Sequence, residues 1–199
     1  MNNQYRRIAF PIILASGFVL GGCSSNESEA PAATEPAAAA AAAPAAGQNK
    51  PLTQDEVSTA IEQVGTATYN AADDTLAITF KVTNNGKVAL PAAGSQNVSA
   101  GVLQLLPEPG NAEGKRGQDI GRAVLNGDLA VGQSQELKAS VPAGLLVGNK
   151  LQIELVQDGV AWFGFNFQQP VLVLGPFERC ADGKALCGEK GAPIEAAAQ

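Results

Sequence analysis

The chain has 199 residues, 45% of them hydrophobic, with 13 basic and 19 acidic side chains and a formal charge of −6. An acidic chain gains nothing from counterion release and carries no basic stripe, so nucleic acid is not an expected partner. There is no histidine, which removes the commonest metal ligand and the commonest general base together.

Arg6 and Arg7 precede an apolar run over residues 8–20 that only Pro11, Ser16 and Gly17 interrupt. A bilayer span needs about 20 apolar residues. A positive front, a brief apolar middle and the small residues Gly21 and Gly22 instead have the shape of a secretory signal peptide over residues 1–22. Tyr5-Arg6-Arg7-Ile8-Ala9-Phe10 fits a twin-arginine signal poorly, so general secretion is expected.

The run Leu20-Gly21-Gly22-Cys23 resembles the lipobox of bacterial lipoproteins. The resemblance implies a diacylglycerol on the Cys23 sulfur, cleavage before that residue, and acylation of the new amine by a palmitate-type chain. Several chains anchor stably, since each buried CH₂ contributes about 0.8 kcal/mol and one chain alone is marginal. The expected partner is then a membrane, held through the acyl chains on Cys23. Ser24, not Asp, resembles lipoproteins sorted onward to an outer membrane where the cell has one, so the expected location is the periplasmic side of the envelope or the outer membrane. An ordinary cleaved signal ahead of a chance cysteine is the alternative. Loss of Arg6 and Arg7 with the signal takes the formal charge from −6 to −8.

Residues 23–51 turn to Ala, Pro, Ser and Glu, with Pro31, Pro36, Pro44 and Pro51 dividing a run of alanines. That run is shorter than the roughly 12 to 15 residues a lone helix needs, and it has little apolar surface to bury. A disordered tether of about 30 Å as a coil is expected.

The folded body is expected over residues 52–178, one domain of a size that buries about two thirds of its unfolded surface. Thr53-Gln54-Asp55-Glu56 has the pattern of a capping box on a brief turn. Residues 61–69 are rich in Val, Thr and Tyr, and residues 70–74 supply turn chemistry, where Asp73-Asp74 reads as local hydrogen bonding. Leu76, Ile78, Phe80 and Val82 then alternate with Ala77, Thr79, Lys81 and Thr83, the period of a half-buried strand, and Asn84-Asn85-Gly86 ends it. Residues 98–106 read as a strand whose apolar phase changes at Val102-Leu103, which a bulge next to Gly101 would explain.

Residues 107–121 are Gly-rich and charged and read as a long loop, with a short strand after it near residues 122–125. Residues 134–141 alternate again through Leu137, Ala139 and Val141. A hairpin follows: Leu151, Ile153 and Leu155 point one way, Asp158-Gly159 turns, and Phe163, Phe165 and Phe167 take one face of the return strand. Residues 171–174 make one more strand.

Short strands at regular spacing without a long amphipathic helix predict an all-β fold, an antiparallel two-sheet sandwich. Residues 76–86 and 129–141 faintly resemble immunoglobulin-like adhesion modules of bacterial cell surfaces, which implies that form of sandwich and little about function.

Cys180 and Cys187 form a close pair, expected to be a disulfide in an oxidising compartment and to staple a carboxy-terminal hairpin. They lack the two-residue spacing of exchange motifs. Residues 179–199 are thus a disulfide loop with a flexible, fraying tail.

Little catalytic chemistry is visible. Without histidine a triad would need lysine or a carboxylate as base, and no Ser-x-x-Lys or Gly-x-Ser-x-Gly pattern occurs. No metal site and no cofactor are expected, and the chain is not expected to be an enzyme. Trp162 is the candidate partner surface: alternation turns it away from the phenylalanine row, where it is either covered by the cysteine loop or presented to another molecule. Glu108, Glu113 and Asp119 are the candidate ligand residues, grouped on the 107–121 loop. The expectation is a non-catalytic, lipid-anchored envelope protein that binds another envelope protein or has a structural role. The alternative is a binder of carbohydrate or another small ligand, or a weak glycosidase, using that loop.

Overall fold

The computed structural model describes residues 50–197. The expected signal peptide, Cys23 and all but the last two residues of the expected tether lie outside the described residues. In chain order the strands are β1 (Thr59–Gln63), β2 (Thr68–Asn70), β3 (Thr75–Asn84), β4 (Val98–Glu108), β5 (Asn111–Val124) and β6 (Ser134–Pro142). They continue as β7 (Lys150–Gln157), β8 (Ala161–Trp162), β9 (Leu172–Leu174), β10 (Glu178–Arg179), β11 (Leu186–Cys187) and β12 (Glu195–Ala196), and a short helix, α1 (Phe163–Phe167), follows β8. The fold is all-β.

The first sheet is built on β3, which pairs antiparallel with β1 and β2 along one edge and with β6 along the other. Its alternation is the one the sequence displays: Leu76, Ile78, Phe80 and Val82 are fully buried, and each contributes about 1.5 to 3 kcal/mol on burial. In the second sheet β4 lies between β5 and β7, and β8 and β9 both pair with the far edge of β7. One of the sheets is curled, a half-barrel. Apolar side chains of β3 and β6 share one buried cluster with Val98, Ala100 and Val102 of β4 and Leu151, Ile153 and Leu155 of β7.

Asn84 closes β3 from inside the core. Its amide donates to the carbonyls of Val88 and Leu129 at 2.9 Å each, and its Oδ1 accepts the Gly86 amide at 2.9 Å. The buried amide of Gln157 does the same for the point of entry, donating to Lys50 O at 2.9 Å and Gln96 O at 3.0 Å while its oxygen accepts the Leu52 amide at 2.8 Å. The turn after Leu52 keeps half of its expected capping box: the Glu56 carboxylate accepts from both the amide and the hydroxyl of Thr53, at 3.0 Å each, and no helix follows.

The structure departs from the sequence reading at several places. The segment over 107–121 is not a loop, because β5 runs through it and joins β4 by a tight turn at Pro109-Gly110. Its glycines and charges mark an irregular edge strand. The bulge falls at the expected step, but on the partner strand: Val102 pairs with Gly121 and Leu103 with Asp119, leaving Ile120 as the extra residue. Two further register shifts follow along the same hairpin. β4 keeps its phase against β7, and Leu103 and Leu105 are buried on the opposite face from Val102 because that face is also covered.

Where Phe163, Phe165 and Phe167 were expected on a return strand, only Ala161 and Trp162 pair with β7 before α1 begins. The chain rejoins the same edge as β9, opposite Leu151 to Ile153, so the edge strand is interrupted across from Glu154 and Leu155. The expected fraying tail is instead held down to residue 197: β12 pairs parallel with β2, and Ile194 packs against the core.

β10 and β11 form the expected carboxy-terminal hairpin, and Cys180 and Cys187 are disulfide-bonded. Arg179 fastens it to the first sheet, donating to Asp74 Oδ2 at 2.8 Å and to the Tyr69 hydroxyl at 3.1 Å, while that hydroxyl donates to Asp74 Oδ1 at 2.8 Å. The Arg179 bond, and then the Tyr69 bond, hold the Asp74 carboxyl below the ordinary aspartate value. A depressed folded value means stability that is present above the unfolded value and lost as the pH falls through the folded one. In urea titrations below about pH 3.9, the wild type is expected to lose more stability per pH unit than Asp74→Asn. Parallel curves would show that the clamp contributes nothing.

Candidate functional site

The outer face of the second sheet gathers most of the polar chemistry. Residues opposed across an antiparallel ladder point to the same side. Gly101 therefore shares this face with Glu154 and Arg122, and Leu103 shares it with Gln152 and Asp119. Gly101 leaves room above the sheet, and the Trp162 ring fills it, since a Cβ there would run into the indole.

Trp162 is half-buried between two arginines of β5. The Arg122 guanidinium lies 4.6 Å from the ring centroid and that of Arg116 lies 5.1 Å away. Arg116 also stands 5.1 Å from the Phe165 ring, so the order along the face is Phe165, Arg116, Trp162, Arg122. Such stacks contribute about 0.5 to 1 kcal/mol each when exposed and more when desolvated. Asp119 neutralises the far end through a 2.5 Å ion pair with Arg122.

Glu154 fixes the near end. Its side chain is fully buried, and its Oε1 accepts Arg116 Nη1 at 2.6 Å and Gln152 Nε2 at 2.8 Å. Oε2 accepts the backbone amide of Phe165 at 3.2 Å. A buried carboxylate is tolerated when paired and hydrogen-bonded in this way. It is also why α1 sits where it does. The helix covers the gap in the edge strand over Glu154, and Gly164 is needed because a Cβ would come within 2.7 Å of Glu154 Oε2. Asn166 Oδ1 accepts the Trp162 amide at 2.8 Å and steadies the entry to the turn.

Phe163 and Phe167, one helical turn apart, face inward with ring centroids 5.4 Å apart, and Phe165 between them is 69% exposed. Beside α1 lies a groove of about 820 Å³ lined among others by Arg116, Lys150, Gln152, Phe165, Gln168 and Val173. Its size is within the usual range for ligand sites of about 300 to 1,000 Å³.

The residues singled out from sequence fare differently. Trp162 is half-buried, with Arg116 and Arg122 stacked over its ring. Glu108 and Glu113 sit near the tip of the β4–β5 hairpin, beside a smaller cavity of about 230 Å³. Asp119 is six residues further along β5, about 20 Å of extended chain from Glu113. The three acids are therefore not one constellation, and Glu113 alone reaches the groove. Sequence reasoning missed Arg116, Arg122 and Glu154. A strand assignment for residues 111–124 would have put the two arginines on one sheet, whereas nothing in the row Leu151, Ile153, Leu155 signals that the intervening acid is buried.

Replacing Gly101 with alanine tests the layering directly. The added methyl would displace the indole and press on Arg122 Nη1, 2.8 Å from the ideal Cβ, at a cost of about 1 to 3 kcal/mol. Because Trp162 is the only tryptophan, its emission is expected to shift to the red in Gly101→Ala. An unchanged spectrum would mean that the ring does not lie there.

Searched against known protein families, the chain matches none, and no curated protein matches it. Among solved structures it is similar in part to a GH3 β-glucosidase of Bifidobacterium adolescentis, with 14% identity and a TM-score of 0.31 over 58% of this chain and 17% of that one. It is similar to the same degree to β-glucosidase 3B of Thermotoga neapolitana in complex with glucose, with 13% identity and a TM-score of 0.32 over 58% and 15%. The chain spans less than a fifth of either enzyme. Likenesses of this extent carry no statement about its own activity.

Proposed function

We propose that this chain is a lipid-anchored, immunoglobulin-like β-sandwich of a bacterial cell envelope that holds another envelope protein and catalyses no reaction. The anchor rests on Leu20-Gly21-Gly22-Cys23. The sandwich reading is supported by two sheets that share one apolar cluster. The binding role rests on one observation: Phe165 is 69% exposed at the end of a fixed stack of arginine and tryptophan. Tryptophan and arginine are enriched where binding energy concentrates, and a side chain already held in place loses little freedom on docking.

The test uses the native anchored protein, cross-linked in intact cells and solubilised in detergent. A partner captured by the wild type and lost in Phe165→Ala and Arg122→Ala, with folding intact, is the expected result. Capture that neither substitution changes would remove this face from consideration. Mass spectrometry of the same material is expected to show acyl chains on Cys23, and a free thiol there would end the anchor reading.

A second reading has its own observation. The groove beside α1 offers amide side chains, cations and an exposed aromatic ring together, so carbohydrate or small-ligand binding would use Glu113 and Arg116 of the 107–121 segment with side chains of β7 and α1, and not Glu108 or Asp119.

A further inference from the structure

We propose that the groove beside α1 binds an acidic saccharide, with the Arg116 guanidinium receiving a sugar carboxylate and Phe165 stacking against a sugar ring. The proposal rests on the second reading above and names its ligand class.

Glu154 is the starting point. A fully buried carboxylate is costly to retain and adds little net stability even when paired. Here it holds one guanidinium in a set orientation at the wall of an open groove. Arg116 is anchored at Nη1 alone and flanked by two aromatic rings, and among the described residues its Nε and Nη2 donate to no protein acceptor. A rigid guanidinium with a free edge matches a carboxylate through two parallel hydrogen bonds. Lys150 adds a second cation, with one donor engaged by Ala112 O at 2.7 Å.

The rest of the lining suits hydroxyl groups. Gln152 uses its nitrogen on Glu154, which leaves its oxygen as an acceptor, and the Gln168 amide has no partner among the described residues. These supply donors and acceptors of the kind that paired hydroxyls require. Phe165 presents an open apolar face beside them.

A peptide is less well served. The edge of β7 next to the groove is occupied by β8 and β9, which closes strand addition there. The other wall belongs to β5, whose repeated register shifts spoil it as a template for a further strand. No row of apolar pockets marks a seat for a helix: Val173 and Phe165 are the large apolar side chains exposed along the lining.

The experiment is calorimetric titration of the full chain in detergent with hexameric galacturonate and hyaluronan hexasaccharide, each as the free acid and as its methyl ester. The expected result is that at least one free acid binds and that its ester binds about 10- to 100-fold more weakly, the loss of a charge-assisted hydrogen-bonded pair. Arg116→Lys, which keeps a charge beside Glu154, and Phe165→Ala, which alters an exposed side chain, are expected to weaken binding at least about tenfold, with both variants still folded at the titration temperature by their thermal unfolding curves. Equal binding of acid and ester, with loss in Phe165→Ala, would overturn carboxylate recognition and leave ligand binding in the groove standing. Hexaglutamate binding as tightly as the uronates would overturn the saccharide assignment. Binding of neither sugar in either form would overturn the acidic-saccharide inference.

Discussion

Arg116→Ala will destabilise the protein far more than Glu154→Gln, although both remove the same 2.6 Å ion pair. The difference lies in what each substitution leaves behind. Without Arg116 the Glu154 carboxylate remains fully buried, with one side-chain amide and one backbone amide as its only donors. Stranding a buried charge in this way costs about 3 to 5 kcal/mol. With Glu154→Gln the remaining arginine is 30% exposed and regains water, and a neutral amide occupies the old position, so the loss is about 1 to 2 kcal/mol. Urea unfolding of the three proteins at neutral pH measures both. Equal losses would mean that Glu154 is hydrated in solution and that the stack does not depend on it.

The second large effect separates two phenylalanines that stand two residues apart. Phe163 is fully buried and packs on Phe167, so Phe163→Ala is expected to cost about 3 to 5 kcal/mol. Phe165→Ala removes an exposed ring and should fall within about 0.5 kcal/mol of the wild type. On a strand the three rings would share one face, and the two substitutions would cost about the same. Thermal unfolding of both variants therefore reports whether residues 163–167 form a helical turn in solution.

These two cases also show what could be read from the chain and what could not. β3 and β6 were visible because each has one buried and one solvent-facing side, so hydrophobicity alternates strictly. β4 is covered on both faces as far as Leu105, and its apolar run therefore looked like a change of phase. β5 carries few apolar side chains because its outward residues are the arginines that cover Trp162, so it read as a loop. Phenylalanines at 163, 165 and 167 satisfy a period of two, while the 163 and 167 pair equally satisfies a helical turn, and tertiary context chose the second. The site itself was out of reach because Glu154 and Arg116 come from strands 38 residues apart in sequence. The disulfide, by contrast, needed only the short separation of Cys180 and Cys187.

The hold of Gln157 on residues 50–52 has a mechanical consequence. Tension on the chain from the amino-terminal side arrives first at Lys50, where the Gln157 amide grips the main chain from the end of β7. β7 is hydrogen-bonded on both edges, so a tug delivered there is shared among its neighbours before it reaches the exposed edge strand β1. A pull on residues 50–52 is thus met by the middle of the second sheet before it can peel that edge.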